Sequence, residues 1–231
     1  MRGQRECCSH SSSFDYSDQL TNQRCSMESS QIKNVVFDVG NVLVRWSPPE
    51  IVRLTFGHSV DAEQMAKRLF SNKIWLDLNK GLISEEEAIH RYQQELDLTA
   101  EECCCFFYYV KQTQIQLFGS VELLQKVKQA GYGVYALTDN VVEIVEHLKS
   151  TYNFWPLFDG AIVSAEVALL KPQPEIYQAL LSRYDLNPSE TVFLDDMPYN
   201  VEGAKQVGMA AIQFENASQC ESELKEMGLS F

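Results

Sequence analysis

The chain has 231 residues, 45 % of them apolar, enough for one large or two small domains with a buried core. A formal charge of −13 argues against a nucleic acid or an anionic membrane as partner, since both need a basic face. It leaves room for a small phosphorylated ligand, because one lysine and a divalent cation reverse the field inside a cleft.

Residues 1–31 are rich in Ser, Gln and charge with almost no apolar periodicity, and read as a disordered tail. Met27 stands just ahead of the first strand and reads as a second translation start, with the segment before it dispensable. No apolar run suits a secretion signal, and none approaches the ~18 residues of a membrane span, so a cytoplasmic location is expected. Seven cysteines form no CxxC or zinc-like spacing. Their odd number suggests free thiols in a reducing compartment. Cys103–Cys105 read as one helix turn whose residues point in different directions.

Five short, continuously apolar runs follow: Val35–Val39, Gly133–Leu137, Gly160–Val163, Thr191–Leu194 and Ala210–Phe214. Continuity rather than alternation marks strands covered on both faces of a parallel sheet. Amphipathic helical patterns separate most of them: Val121, Leu124 and Val127 before Gly131; Tyr177, Leu180, Leu181 and Tyr184 after Pro174; Val201, Ala204 and Val207 before Gly208. The spacing predicts an α/β fold, a Rossmann-like parallel sheet with helices on both faces. The core occupies 32–46 and 119–231. Between the first two strands, residues 47–118 carry no strand signal. Ala62, Met65, Ala66 and Leu69 recur at helical spacing, and Asp61–Gln64, Ser84–Glu87 and Thr99–Glu102 resemble capping boxes. This helical insert leaves just past Asp38, so it stands as a cap over the carboxyl ends of the strands. Asn216-Ala-Ser218 reads as a glycosylation acceptor only in a secreted protein.

The chemistry-bearing residues close those strands. Asp38 can attack phosphorus and form an acyl-phosphate, splitting hydrolysis into two displacements. Thr138 offers a hydroxyl at a strand end, and Lys171, stiffened by Pro172 and Pro174, offers a point charge. Asp195 and Asp196 repel each other unless a cation sits between them and Asp38; all-oxygen ligation favours Mg²⁺.

The motifs FDVGNVLV, LTDN, LLKP and FLDDMPYNVEGAKQVGM, in this order across residues 34–214, resemble the four motifs of the haloacid dehalogenase superfamily. Their detail is similar to the branch with α-D-glucose-1-phosphate phosphatase and the phosphatase domain of soluble epoxide hydrolase. The resemblance implies a four-helix cap and Asp38 as nucleophile. It implies Thr138 and Lys171 as stabilisers of phosphate, and Asp196, beside Asp195, as metal ligand together with the backbone carbonyl of Gly40. Substrate contacts beyond phosphate are expected from the cap and from Asn41, Arg45 and Trp46. His58 and His90 read as surface or packing residues rather than ligands.

The chain departs from that pattern at Gly40, where the superfamily's phosphatases usually carry the Asp that acts as general acid and base. Such assistance is typically worth ~10²–10⁴-fold, so slow turnover or a preference for good leaving groups, such as a sugar 1-phosphate, is expected. Asp139 stands where relatives often have Asn, a candidate substitute acid if the phosphate charge keeps it protonated. The expected function is a Mg²⁺-dependent phosphatase of a small phosphorylated metabolite. The alternatives are 2-haloacid dehalogenation, disfavoured by the Asp195-Asp196 pair, and a catalytically weak metabolite-binding protein, suggested by Gly40. Substrate identity and oligomeric state are not legible.

Overall fold

Val35, Val36 and Phe37 are almost completely shielded from solvent because their strand is the central one of a sheet covered on both faces. The computed structural model describes residues 31–231; the expected tail over 1–31, with Met27 and Cys7, Cys8 and Cys25, lies outside them except for its last residue. The chain runs β1 (Asn34–Phe37), then helices α1 (Pro48–Phe56), α2 (Ala62–Phe70), α3 (Lys73–Asn79), α4 (Glu85–Leu96), α5 (Ala100–Gln112) and α6 (Ser120–Gln129). It continues through β2 (Gly133–Thr138), α7 (Val142–Thr151), β3 (Gly160–Val163), the one-turn α8 (Ser164–Val167) and α9 (Pro174–Arg183). It closes with β4 (Thr191–Asp195), α10 (Pro198–Gln206), β5 (Ala210–Gln213) and α11 (Ala217–Glu226).

The five strands pair in parallel in the order β3-β2-β1-β4-β5. They coincide with the five apolar runs to within one or two residues. Val35 and Phe37 point into one buried cluster with Leu124 of α6, Leu148 of α7 and Leu224 of α11. Val36, Leu137 and Phe193 point into another with Tyr177 and Leu180 of α9 and Ala204 of α10. Each such side chain contributes roughly 1.5–3 kcal/mol on burial, which is why the strand sequences carry no polar face.

The insert over 47–118 holds five helices, one more than the expected four, and its two ends meet in a β-bridge between Val44 and Gln116. The additional one is the two-turn α3, too short to show a stripe. It is opened by Asn72, whose side chain accepts the Trp75 N–H. Asp61, Ser84 and Thr99 cap α2, α4 and α5, and Thr99 with Glu102 makes the complete reciprocal box. Along α5, Cys103 is buried, Cys104 exposed and Cys105 between the two. The helices close on an aromatic cluster around Phe106, where the Tyr92 hydroxyl donates to the Leu69 carbonyl at 2.8 Å. At the far end of the chain, Asn216 and Gln219 form a capping box that opens α11, a helical reading of the Asn-Ala-Ser sequence.

The two crossings between sheet and insert run side by side: Arg45 N–H donates to the Ile115 carbonyl at 2.8 Å and Leu117 N–H to the Leu43 carbonyl at 2.9 Å. A second contact joins them over the strand ends. Ser164, fully buried at the start of α8, donates its hydroxyl to the Asn79 carbonyl at 2.6 Å and accepts the Asn140 N–H at 2.8 Å. Gly81 lies beside it, at φ +64° and so close to the backbone of Ala165 that an added Cβ would stand 2.1 Å from the Ala165 oxygen. Gly81→Ala should therefore lower the urea midpoint by the equivalent of roughly 1–3 kcal/mol. Gly57→Ala, at φ +77° with nothing within 4 Å, should lose clearly less.

Candidate active site

Adjacent strands β1 and β4 send their connections in opposite directions, β1 toward β2 and β4 toward β5, which opens a crevice at their carboxyl ends. Asp38 follows β1 and Asp195 ends β4, so the two carboxyl groups are delivered to that crevice by neighbouring strands. Lys171 enters from the loop between α8 and α9, across the crevice. Its ammonium lies 2.9 Å from Asp38 Oδ1 and 2.7 Å from Asp195 Oδ2.

Each carboxylate has a distinct set of donors. Asp38 Oδ1 also accepts the Val39 N–H at 2.7 Å, while Oδ2 has no donor among the described residues. Asp195 is saturated: its oxygens accept from Lys171, from the Met197 N–H at 2.8 Å and from the Asn200 amide at 3.0 and 3.1 Å. Asp196, only partly buried, accepts from Asn41 Nδ2 at 3.0 Å. Asn41 adopts a left-handed φ of 52° and its Oδ1 takes the Trp46 N–H, so its amide is locked toward Asp196. Asp139 accepts the Lys171 backbone N–H on both oxygens, at 3.0 and 3.2 Å, which ties the loop after β2 to the lysine loop.

Burial pushes the Asp38 carboxyl up to about 8 against the pull of the Lys171 ammonium, and Asp195 adds to the rise. Burial alone would lower Lys171; Asp38, Asp195 and Asp139 outweigh it and hold the ammonium above the ordinary lysine range. Burial likewise raises Asp139 and Asp196, opposed by Lys171 at the first and by the Asn41 amide at the second.

A cavity of about 460 Å³ opens over these groups. Asp38, Gly40, Asn41, Asp139, Lys171 and Asp196 all line it. Thr138 does not: it ends β2 opposite Val163, is 1 % exposed, and leaves the wall to Asp139 and Asn140. Asp195 lies behind the wall. Trp46 lines the cavity, whereas Arg45 turns away to pair with Glu50 at 3.0 Å. His58 and His90 are exposed and do not line the cavity. Sequence reading passed over Asn140, Ser164 and Asn200. Asn200 sits in the first turn of α10, opened by Pro198, and that helix start after Asp195-Asp196 was a usable signal. Ser164 had none.

Asp38, Asp195 and Asp196 each bring one carboxylate oxygen within 4.8 Å of the others. Asp38 and Asp196, whose oxygens are not all taken, offer hard donors that fit Mg²⁺ with room for further oxygens, whereas Asp195, expected beside them as a ligand, is filled by protein donors. Among the described residues no helix is long and apolar enough to cross a membrane.

A parallel α/β sheet carrying paired aspartates, a buried lysine and a helical insert after β1 defines a hydrolase class, and the chain belongs to the haloacid dehalogenase-like hydrolases, whose family model matches residues 32–208. Among individual relatives, it is 27 % identical to a sesquiterpene phosphatase of Aspergillus oryzae, over 84 % of this chain and 96 % of that protein. It is 28 % identical to the chloroplast flavin mononucleotide hydrolase 1 of Arabidopsis thaliana, over 100 % and 88 %. The fold is shared with a haloacid dehalogenase family enzyme of Bacteroides thetaiotaomicron solved with magnesium and inorganic phosphate. That match has a TM-score of 0.70 at 22 % identity and covers 82 % of this chain and 98 % of that one.

Lys171→Met keeps the shape of the side chain but strands two buried carboxylates. In EDTA it should lose about 3–5 kcal/mol of stability by chemical denaturation.

Proposed function

We propose that this chain is a Mg²⁺-dependent phosphatase of a small phosphorylated metabolite, working through an aspartyl-phosphate on Asp38. The observation that carries the reading is the asymmetry of the Asp38 carboxylate. One oxygen is fixed by the Val39 N–H and the Lys171 ammonium, and the other is without a donor at the wall of the cavity. A nucleophile held by one oxygen loses little orientation on attack. The names of the two curated relatives, a phosphatase and a mononucleotide hydrolase, support the same reaction class.

In this reading Asp38 Oδ2 forms a bond to phosphorus as the ester P–O bond breaks. The alcohol oxygen leaves with that electron pair and takes a proton, and water then attacks phosphorus and releases phosphate from Asp38. Lys171 neutralises charge on Asp38 and the transferred group. Asp195 fixes the ammonium, and Asn41 fixes Asp196. Asp38 and Asp196 retain lone pairs for a metal, whereas Asp195 has spent most of its own on protein donors; the Gly40 carbonyl completes the set that the motif assigns. Bound there, Mg²⁺ would offset the negative charge of the phosphoryl oxygens. The Asp139 oxygens both serve as acceptors for the Lys171 amide, so its part is to position that loop, and leaving-group protonation falls to solvent.

Phosphate release from a phosphomonoester should vanish in Asp38→Asn and on chelation with EDTA, and added Mg²⁺ should restore it in the unmutated protein. Persistence of release in Asp38→Asn would overturn the assignment. At Gly40 an added Cβ would meet only the Trp46 Cβ, at an ordinary 3.8 Å. Gly40→Asp should therefore fold normally and raise kcat on alkyl phosphates, whose leaving groups are poor, by ~10-fold or more, with less effect on aryl phosphates.

A further inference from the structure

The cavity is chemically divided. Near the strand ends its wall is ionic, with Asp38, Asp139, Lys171 and Asp196; away from them it is aromatic and aliphatic. Trp46 and Trp75 stack at 5.9 Å with planes 18° apart, and Phe70 meets both edge-on at 5.3 and 4.8 Å. Leu76, Met197 and Tyr199 also line the cavity and are 42 %, 36 % and 53 % exposed.

Two further facts restrict what that wall accepts. Lys171 is the one cationic residue of the lining among the described residues, and it is already shared by Asp38 and Asp195. A second phosphate or carboxylate on the substrate, reaching the aromatic side, would lose its hydration and meet no positive charge there. The two amides on the insert side are each already committed through one of their N–H groups. The Asn79 amide donates to the Trp75 carbonyl at 2.9 Å and the Gln114 amide to the Val110 carbonyl at 3.0 Å. Hydroxyls of a polyol would leave water for a surface made largely of rings and aliphatic carbon, with few polar groups to replace their hydrogen bonds.

From this division we infer that the substrate class is the monophosphate ester of an uncharged, largely apolar alcohol, preferably one with a ring or unsaturated chain that lies against the Trp46–Trp75 pair. The inference rests on the phosphatase reading for its reaction and on the cavity wall for its selectivity. It sets aside sugar phosphates and bisphosphates as preferred ligands.

The test compares three primary alkyl esters, so that the leaving groups match: 3-phenylpropyl phosphate, glycerol 3-phosphate and hexane-1,6-diol bisphosphate, each with Mg²⁺. The KM for 3-phenylpropyl phosphate should lie about tenfold or more below the other two. Leu76→Lys, at a partly exposed position that tolerates charge, should narrow the gap to the bisphosphate by lowering its KM. An equal or lower KM for glycerol 3-phosphate or the bisphosphate in the unmutated protein overturns the inference and leaves the phosphatase reading intact. If no ester is hydrolysed, the phosphatase reading fails, and calorimetric titration with non-hydrolysable phosphonates decides the wall by itself. Tighter binding of 3-phenylpropylphosphonate than of 2,3-dihydroxypropylphosphonate supports it, and equal or reversed affinities overturn it.

Discussion

Asp38 and Asp195 are delivered to the same point by two adjacent parallel strands, the second fully buried and the first nearly so at the cavity wall. Coulomb repulsion and lost hydration oppose that placement together. The Lys171 ammonium between them reverses the sign of the local energy, and it carries its own requirement, since a buried cation needs the two carboxylates as much as they need it. The three groups come from three separate segments, so the ion cluster fixes the relative positions of β1, β4 and the loop before α9. The Asp139 contact to the Lys171 amide adds the end of β2. Almost every strand terminus that lines the crevice is therefore set by one network of charge.

This network also sorts the aspartates. Position in the sequence makes Asp195 and Asp196 look interchangeable, yet the pleat turns the first inward, where Met197, Asn200 and Lys171 fill its oxygens, and leaves the second half-exposed at the cavity wall. Asn41 then holds Asp196 from the other side of the crevice. The motif contributes one residue to stability and the next to the cavity wall.

The sheet was legible because burial on both faces leaves no polar alternation in the strands; helices with a strong cap or a glycine stop were legible for similar reasons. Helix α7 went unread although Ile144, Val145 and Leu148 form its buried stripe, because Val141 before it offers no capping side chain. Of the site, the residues that carry charge at strand ends could be read from order and spacing. The aromatic wall could not: Trp46, Phe70 and Trp75 are spread over the hinge and two helices of the insert, and their meeting depends on how the insert folds back. Nor could the retreat of Thr138, since whether a strand's last side chain reaches the crevice or the interior is decided by the pairing of β2 with β3.

Ser164 joins both halves of the cavity through one oxygen, donating to the Asn79 carbonyl of the insert while accepting the Asn140 amide of the loop beside the reacting groups. The same hydroxyl also lies 3.2 Å from the Asn140 carbonyl, so it holds both polar groups of that backbone position. One buried hydroxyl therefore serves two segments at once, and the seating of the insert and the path of the Asp139–Asn140 loop meet at a single oxygen.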